Sequence, residues 1–268
     1  MSTLMFKNDI YGGIKIDGSV LNELSDEAFE EQLANSIKVW TETGRRGIWI
    51  KVPITLSSWI PICVKYGFAF HHAQHDYAMM ARWLPSVETN KLPLYPFTSI
   101  GVGGLLIDES GCADPRVLLV RERFGVYKGW KLPGGLADPG ERIYETAQRE
   151  VAEETGIQNT TIVGVLSIRH SHNAVYRDCS DVYWVVLMTV GIEDVRENGS
   201  RPCDNEIAEL QWFKIKDAKT LSPEEISPIT LYNIAAYESY RKGVSKLISI
   251  ADEGVRNHRP YVVYGINE

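Results

Sequence analysis

The sequence predicts an α/β (α+β) protein of two domains, a small α/β domain followed by a larger one in which helices cover a mixed sheet. Three observations carry this expectation. Strand-like and helix-like stretches alternate through residues 10–72, a proline-bearing break follows at 84–97, and beyond it five strand-like segments are interrupted by one amphipathic helix.

In order, residues 10–17 read as a strand, and residues 26–43 as a helix with Phe29, Leu33, Ile37 and Trp40 inward. Ile48, Ile50 and Val52 then alternate as a strand. Residues 57–65, which carry Trp59, Ile60, Cys63 and Val64, predict a second helix, and 68–72 a short strand. The stretch 84–97, LPSVETNKLPLYPF, holds three prolines among polar residues without periodicity and is the expected linker. Residues 1–95 are thus expected as the first domain, 96–250 as the second and 251–268 as a C-terminal tail. Within the second domain strands are expected at 99–107, 116–122, 161–170, 182–190 and 209–215, with helical spacing returning at 230–247.

The amphipathic helix is the most informative segment. Residues 135–157 read GLADPGERIYETAQREVAEETGI, and Ile143, Ala147 and Val151 recur every four positions on one face of a helix spanning about 141–155. Pro139 and Gly140 suit the entering turn, Glu141 the first turn, and Gly156 the left-handed residue that closes the helix. Glu150, Glu153 and Glu154 crowd one side of the last two turns, where like charges three and four apart repel. A hard divalent cation removes that penalty, because magnesium binds carboxylate oxygens and completes its shell with substrate phosphates. Arg149 is expected to pair with Glu145 or with Glu141, orienting the acidic side instead of neutralising the ligands.

The same stretch satisfies every fixed position of G-x5-E-x7-R-E-U-x-E-E-x-G-U, with Val151 and Ile157 at aliphatic positions U, and so resembles the signature of the Nudix hydrolases. Chance alone would match the seven invariant letters at about 10⁻⁸ per starting position. The resemblance implies an α/β/α sandwich with a mixed sheet, and hydrolysis of a nucleoside diphosphate linked to another moiety, with Mg2+ or Mn2+. It makes Glu150 and Glu154 metal ligands, Glu153 a ligand or the general base, and the Gly135 carbonyl a further ligand, with Arg149 orienting the glutamates through Glu141. The segments GRRGIWIKVPI, YGFAFHHAQHDYAMMARWLP and GVGGLLID are similar to the Nudix 6 type, which extends the likeness to about residue 245 and includes plant ADP-ribose/NADH pyrophosphatases. For the first domain it implies an acetyltransferase-like shape without that activity. Substrate markers are sparse: SQPWPFP is absent, no proline occurs between Ile157 and Pro202, and LLVRERFGVYKGWKLPGG does not match the coenzyme A signature. ADP-ribose or NADH, cleaved to AMP, rests on subgroup likeness.

Bulk properties narrow the partners. A net charge of −7 at pH 7 argues against a dominant nucleic-acid surface, so a small nucleotide is the expected substrate. Cys63, Cys112, Cys179 and Cys203 are scattered without a C-x-x-C pair, which fits reduced thiols in a cytoplasmic or organellar compartment. The opening MSTLMFKNDIYGG lacks the features of a signal peptide, and no run of apolar residues would span a membrane, so a soluble chain is expected. A homodimer is in keeping with the resemblance.

Around the approach to the helix lie Arg121, Arg123, Lys128 and Lys131, with Phe124, Tyr127 and Trp130 between them; cations suit phosphates, and flat rings stack bases. Arg121, Arg123, Trp130, Arg169 and His172 are the substrate-binding candidates, set against a solvated loop and ordinary exposed residues. Glu206, in DNEIAELQW, is a further candidate base or ligand. His71 and His72, adjacent on a strand, should face opposite sides and so not share an ion. The rival functional reading is a nucleotide-sensing regulatory protein whose first domain docks a partner.

Overall fold

Buried Ile14 and Ile16 alternate with exposed Lys15 and Asp17, and that period of two makes Ile14–Asp17 a strand with one face on a core. The computed structural model to which it belongs describes residues 2–110, 114–124, 127–174, 179–191, 206–256 and 258–266, apart from the side chains of 173 and 174. The chain divides into two compact units, Met1–Pro96 and Phe97–Glu268.

The first unit contains β1 (Lys7–Asn8), β2 (Ile14–Asp17), α1 (Asp26–Glu42), β3 (Gly47–Pro53), α2 (Trp59–Lys65), β4 (Ala69–Ala73) and β5 (Tyr77–Trp83), and its sheet runs β1-β2-β3-β5-β4. Strands β2 and β3 are parallel, so α1 is their crossover. Ser25 caps α1, its Oγ accepting the Ala28 amide at 3.2 Å. Phe29 stacks on Trp59 at 3.9 Å, which ties α1 to α2 above Ile14, Ile48, Ile50 and Met80. Strand β5 was not expected, because YAMMARW is mostly half-buried and lacks a clean alternation.

The histidine pair differs from expectation. A bulge between Phe70 and His72 in the β4–β5 pairing breaks the alternation of the strand and brings the two rings together, Nδ1 to Nδ1 at 2.7 Å. His71 Nε2 meets the Pro93 carbonyl at 2.9 Å, and the His72 ring stacks on Tyr95. Burial, then the neighbouring His71, lowers the His72 pKa.

In the second unit follow β6 (Thr98–Asp108), β7 (Arg116–Glu122), β8 (Gly134–Leu136), α3 (Ile143–Thr155), β9 (Thr160–Ala174), β10 (Cys179–Val190), β11 (Ile207–Lys214), α4 (Ile215–Ala218), α5 (Pro228–Arg241), β12 (Ser249–Arg256) and β13 (Arg259–Gly265). The main sheet runs β11-β7-β6-β10-β9, with β6 and β10 parallel and the other neighbours antiparallel. Successive residues of β6, β7 and β10 feed two cores. Leu105, Ile107, Val117, Leu119, Val185 and Leu187 meet Trp130, Ile234 and Tyr237 on one face. Val102, Leu106, Leu118, Val186 and Met188 meet Ile143, Ala147 and Val151 on the other. This is the α/β/α sandwich with a mixed sheet that the sequence implies.

Two boundaries shift. Helix α5 stops at Arg241, short of 247, and Gly243 follows it with φ 70°. The stretch beyond 250, expected as a tail, lies largely in the β12–β13 hairpin, whose Tyr264 packs on Trp184 and Tyr144. Glu253 of that hairpin pairs with Arg142 at 3.0 Å.

The second edge of β6 is shared between partners. Its C-terminal end pairs with β7 at Ile107 and Asp108, while Gly101, Val102 and Gly103 pair with β8. Between these, Lys131 exchanges backbone hydrogen bonds with Val120 of β7, both at 2.9 Å, and the Pro133 carbonyl accepts the Gly104 amide at 2.9 Å. Residues 131–136 are therefore wedged into the sheet and deliver Gly134 and Gly135 to its middle.

Candidate active site

Helix α3 buries Ile143, Ala147 and Val151, which fixes the rotation that sends Glu150 and Glu154 toward the wedged glycines and Glu153 to solvent. Gly140 and Gly156 flank it with φ 89° and 78°, conformations that only glycine adopts without strain. The helix starts at Ile143, so Glu141 lies in the preceding loop and not in the first turn. The reason is local: the Glu145 carboxylate accepts the Arg142 amide at 3.0 Å and closes the helix there. Glu141 is then free to accept the Asp138 amide at 3.0 Å and the Thr146 hydroxyl at 2.9 Å.

Arg149 is the hub. Its Nε and Nη2 donate to the two oxygens of Glu141 at 2.8 and 2.9 Å, and Nη2 also donates to the Leu136 carbonyl at 3.1 Å. Of the two expected partners, Glu141 is the one taken. Arg149 does more than orient, however, because Nη1 donates to Glu150 at 2.7 Å and to Glu153 at 3.1 Å, so it partly neutralises both. The Arg149 hydrogen bonds hold the Glu141 carboxyl down at about 2, against the opposing effect of burial.

Glu154 is only 5% exposed, and its Oε2 accepts the Gly134 amide at 2.9 Å. Burial pushes its carboxyl up to about 7, while Lys131 and the Gly134 amide pull the other way. Burial also raises Glu150, opposed by Arg149. The Glu150 carboxylate lies against Gly135, where a Cβ would fall 2.5 Å from Oε1, so any side chain at that position would displace the carboxylate. Among the described residues no three carboxylates or other ligating side chains stand close enough together to form a cation site; Arg149 occupies the space between Glu150 and Glu153. The donor set nevertheless fits a hard divalent ion. It is all oxygen, and among the described residues the buried Glu154 carboxylate accepts the Gly134 amide but has no ion-pair partner.

The remaining candidates are placed as follows. Arg121 lies over the Trp130 ring at 4.3 Å and reaches Glu209 at 3.3 Å. Trp130 itself is 4% exposed and edge-on to Phe213, so its ring belongs to the core and is not open to a base, which corrects its expected stacking role. Arg123 donates its amide to the Glu206 carbonyl at 2.8 Å, so backbone geometry places these two side by side at the end of β7. The Glu206 side chain is exposed and has no hydrogen bond or ion pair to the box glutamates among the described residues; the neighbouring Asp204 lies outside them. Arg169 pairs with Asp181 at 3.0 Å and covers the Tyr183 ring at 5.0 Å, while the exposed His172 packs its ring on His170. Phe124 is exposed, and Tyr127 donates to the Pro223 carbonyl at 3.3 Å.

Two residues near the glutamates went unnamed as candidates: Glu122, ion-paired to Lys131, and Tyr183, beside Gly134. For Tyr183 a signal exists in the glycines at alternate positions 101 and 103, which leave room for a ring. Of the cysteines, Cys63 and Cys179 are free, and Cys112 and Cys203 lie outside the described residues. Burial raises the Cys63 thiol to about 12. No helix among the described residues is long and apolar enough to cross a membrane.

The second unit is thus a sandwich that presses a glutamate-bearing helix against a glycine turn wedged into its sheet. The Nudix hydrolase domain model matches residues 4–84, and the NUDIX domain model matches residues 98–232. The chain is 33% identical over 214 residues to Nudix hydrolase 7 of Arabidopsis thaliana, covering 79% of this chain and 72% of that protein. It is 33% identical over 252 residues to the human nucleoside diphosphate-linked moiety X motif 6, covering 91% and 75%. A solved NUDIX hydrolase from Nitrosomonas europaea is 22% identical over 55% of this chain and 90% of its own, with a TM-score of 0.43. The chain belongs to the Nudix hydrolase family.

Proposed function

We propose that the protein hydrolyses the diphosphate linkage of a small nucleotide, ADP-ribose or NADH, with Mg2+ or Mn2+, releasing AMP and a second monophosphate. The observation that carries this reading is the seating of Glu150 and Glu154 on Gly135 and Gly134, two carboxylates held half-buried and buried with incomplete charge compensation. Glu150, Glu153, Glu154 and the Gly135 carbonyl would hold the ion. When bound, it supplies charge neutralisation on the phosphoryl oxygens.

The chain's own residues do the positioning. Glu141 anchors Arg149, and Arg149 fixes the rotamers of Glu150 and Glu153. Glu153, 59% exposed and held at one oxygen only, is the carboxylate best placed to accept a proton from water. Arg121, Arg123, Arg169 and His172 supply cationic or polar groups for the rest of the nucleotide. The choice of ADP-ribose and NADH rests on the resemblance of the flanking segments to the Nudix 6 type, and the negative net charge favours a free nucleotide over a polymer.

A panel of diphosphate-linked nucleotides, each assayed with each metal at equal concentration, tests the reading by AMP release. Tight nucleotide binding without turnover would instead favour the sensing role. Full turnover in both Glu153→Gln and Glu154→Gln would reject the assignment of the glutamates.

A further inference from the structure

We infer that Tyr183 is a substrate-contacting residue of this site, its hydroxyl donating a hydrogen bond to a phosphate oxygen of the diphosphate bridge; the inference rests on the hydrolase reading above. On β10, Tyr183 stands in register with Gly101 of β6 on one side and with Arg169 of β9 on the other. Its ring lies along β6 over two glycines: a Cβ at Gly101 would meet ring Cδ2 at 2.7 Å, and one at Gly103 would meet the hydroxyl at 2.1 Å. Neither position tolerates a side chain while the ring keeps this place.

The other face of the ring is closed by the Arg169 guanidinium at 5.0 Å. Arg169 is in turn held by Asp181 Oδ2 at 3.0 Å, and Asp181 Oδ1 accepts from Ser99 Oγ at 3.2 Å. Three side chains and two glycines thus aim one hydroxyl. It arrives beside Gly134, within 3.1 Å of where a Cβ would stand, and the amide of that same glycine donates to Glu154.

Tyr183 is half-buried, and a tyrosine that serves packing alone usually satisfies its hydroxyl with a neighbouring residue. Among the described residues the Tyr183 hydroxyl has no hydrogen-bond partner, although it sits close enough to Glu154 and Glu150 for their charge to act on it. A phenol is protonated at working pH, so the hydroxyl is available as a donor. A donor held ready beside the glutamates suits an anionic oxygen that arrives with the substrate.

The test compares the full chain with Tyr183→Phe, which removes one oxygen and keeps the ring. Initial rates on ADP-ribose and NADH with MgCl2 are measured beside thermal midpoints, and α,β-methylene-ADP is titrated calorimetrically into both proteins. The expected result is a fall of about tenfold to a hundredfold in kcat/KM, the range for a lost hydrogen bond to a charged acceptor, with an unchanged melting temperature. Wild-type turnover that persists undiminished in the Phe variant overturns the inference and leaves the hydrolase reading standing. If neither nucleotide is cleaved by the wild type, the hydrolase reading fails, and a tenfold weaker grip on the methylene analogue in the Phe variant still supports the contact. Equal analogue binding in that case, or an activity loss matched by a drop in melting temperature, rejects it.

Discussion

Replacing Glu154 by Gln should make the protein more stable while removing its activity. The carboxyl is 5% exposed and titrates at about 7, against an ordinary value of 4.5. A carboxyl raised in the folded state adds stability only below its unfolded pKa, and loses it as pH climbs through the folded value. Relative to a residue that cannot ionise, the cost of Glu154 in chelator is under ~1 kcal/mol at pH 5 and ~3 kcal/mol at pH 8. Gln keeps the shape and still offers an oxygen to the Gly134 amide. Thermal melts in EDTA should therefore show Glu154→Gln unfolding about 6–12 °C above wild type at pH 8 and close to it at pH 5. Adding MnCl2 should narrow the gap by stabilising only the carboxylate form, by about 2.7 kcal/mol at a hundred times Kd. A variant that melts at or below wild type throughout, or a gap that does not widen with pH, would refute the account of the buried carboxylate.

The remaining predictions concern the same hub. Arg149→Gln breaks the pairs to Glu141, Glu150 and Glu153 and should lower stability by about 2 kcal/mol and turnover by two orders of magnitude or more, read by urea melts and AMP release. Glu141→Gln should lose about 1 kcal/mol at pH 7, after discounting for solvent screening, because a carboxyl held at about 2 adds stability above its ordinary 4.5. That difference should shrink as pH falls from 4.5 toward 2, so melts at pH 7 and pH 3 check it. Gly135→Ala should cut turnover at least tenfold in the nucleotide assay with the fold intact, because its methyl group displaces the Glu150 carboxylate.

The legible parts of the molecule are those governed by short-range rules. The four-residue spacing of Ile143, Ala147 and Val151, with glycines at both ends, marks α3 and the side on which its glutamates emerge. What escaped depends on partners distant in sequence. Trp130 reads as an open ring in a cationic loop, but a bridge to Ile226 and the cover of Arg121 pull it into the core. The bulge in β4 that joins His71 to His72 arises from its pairing with β5, a strand too evenly half-buried to register as a period of two. Glu141 reads as helical from its position, and Glu145 capping the Arg142 amide shuts it out. Tyr183 is unremarkable among strand residues until the register with Gly101 is known.

The wedge between β6 and β7 bears on how this enzyme would die. Residues 131–136 are hydrogen-bonded on both flanks to strands whose side chains make up the hydrophobic interior. Many catalytic loops fray before their scaffold does, so that activity fades while most of the structure persists. Here the glycine turn has no such independence, because releasing it means parting the sheet. Heat inactivation and loss of the sandwich should be one event, and refolding should restore both together.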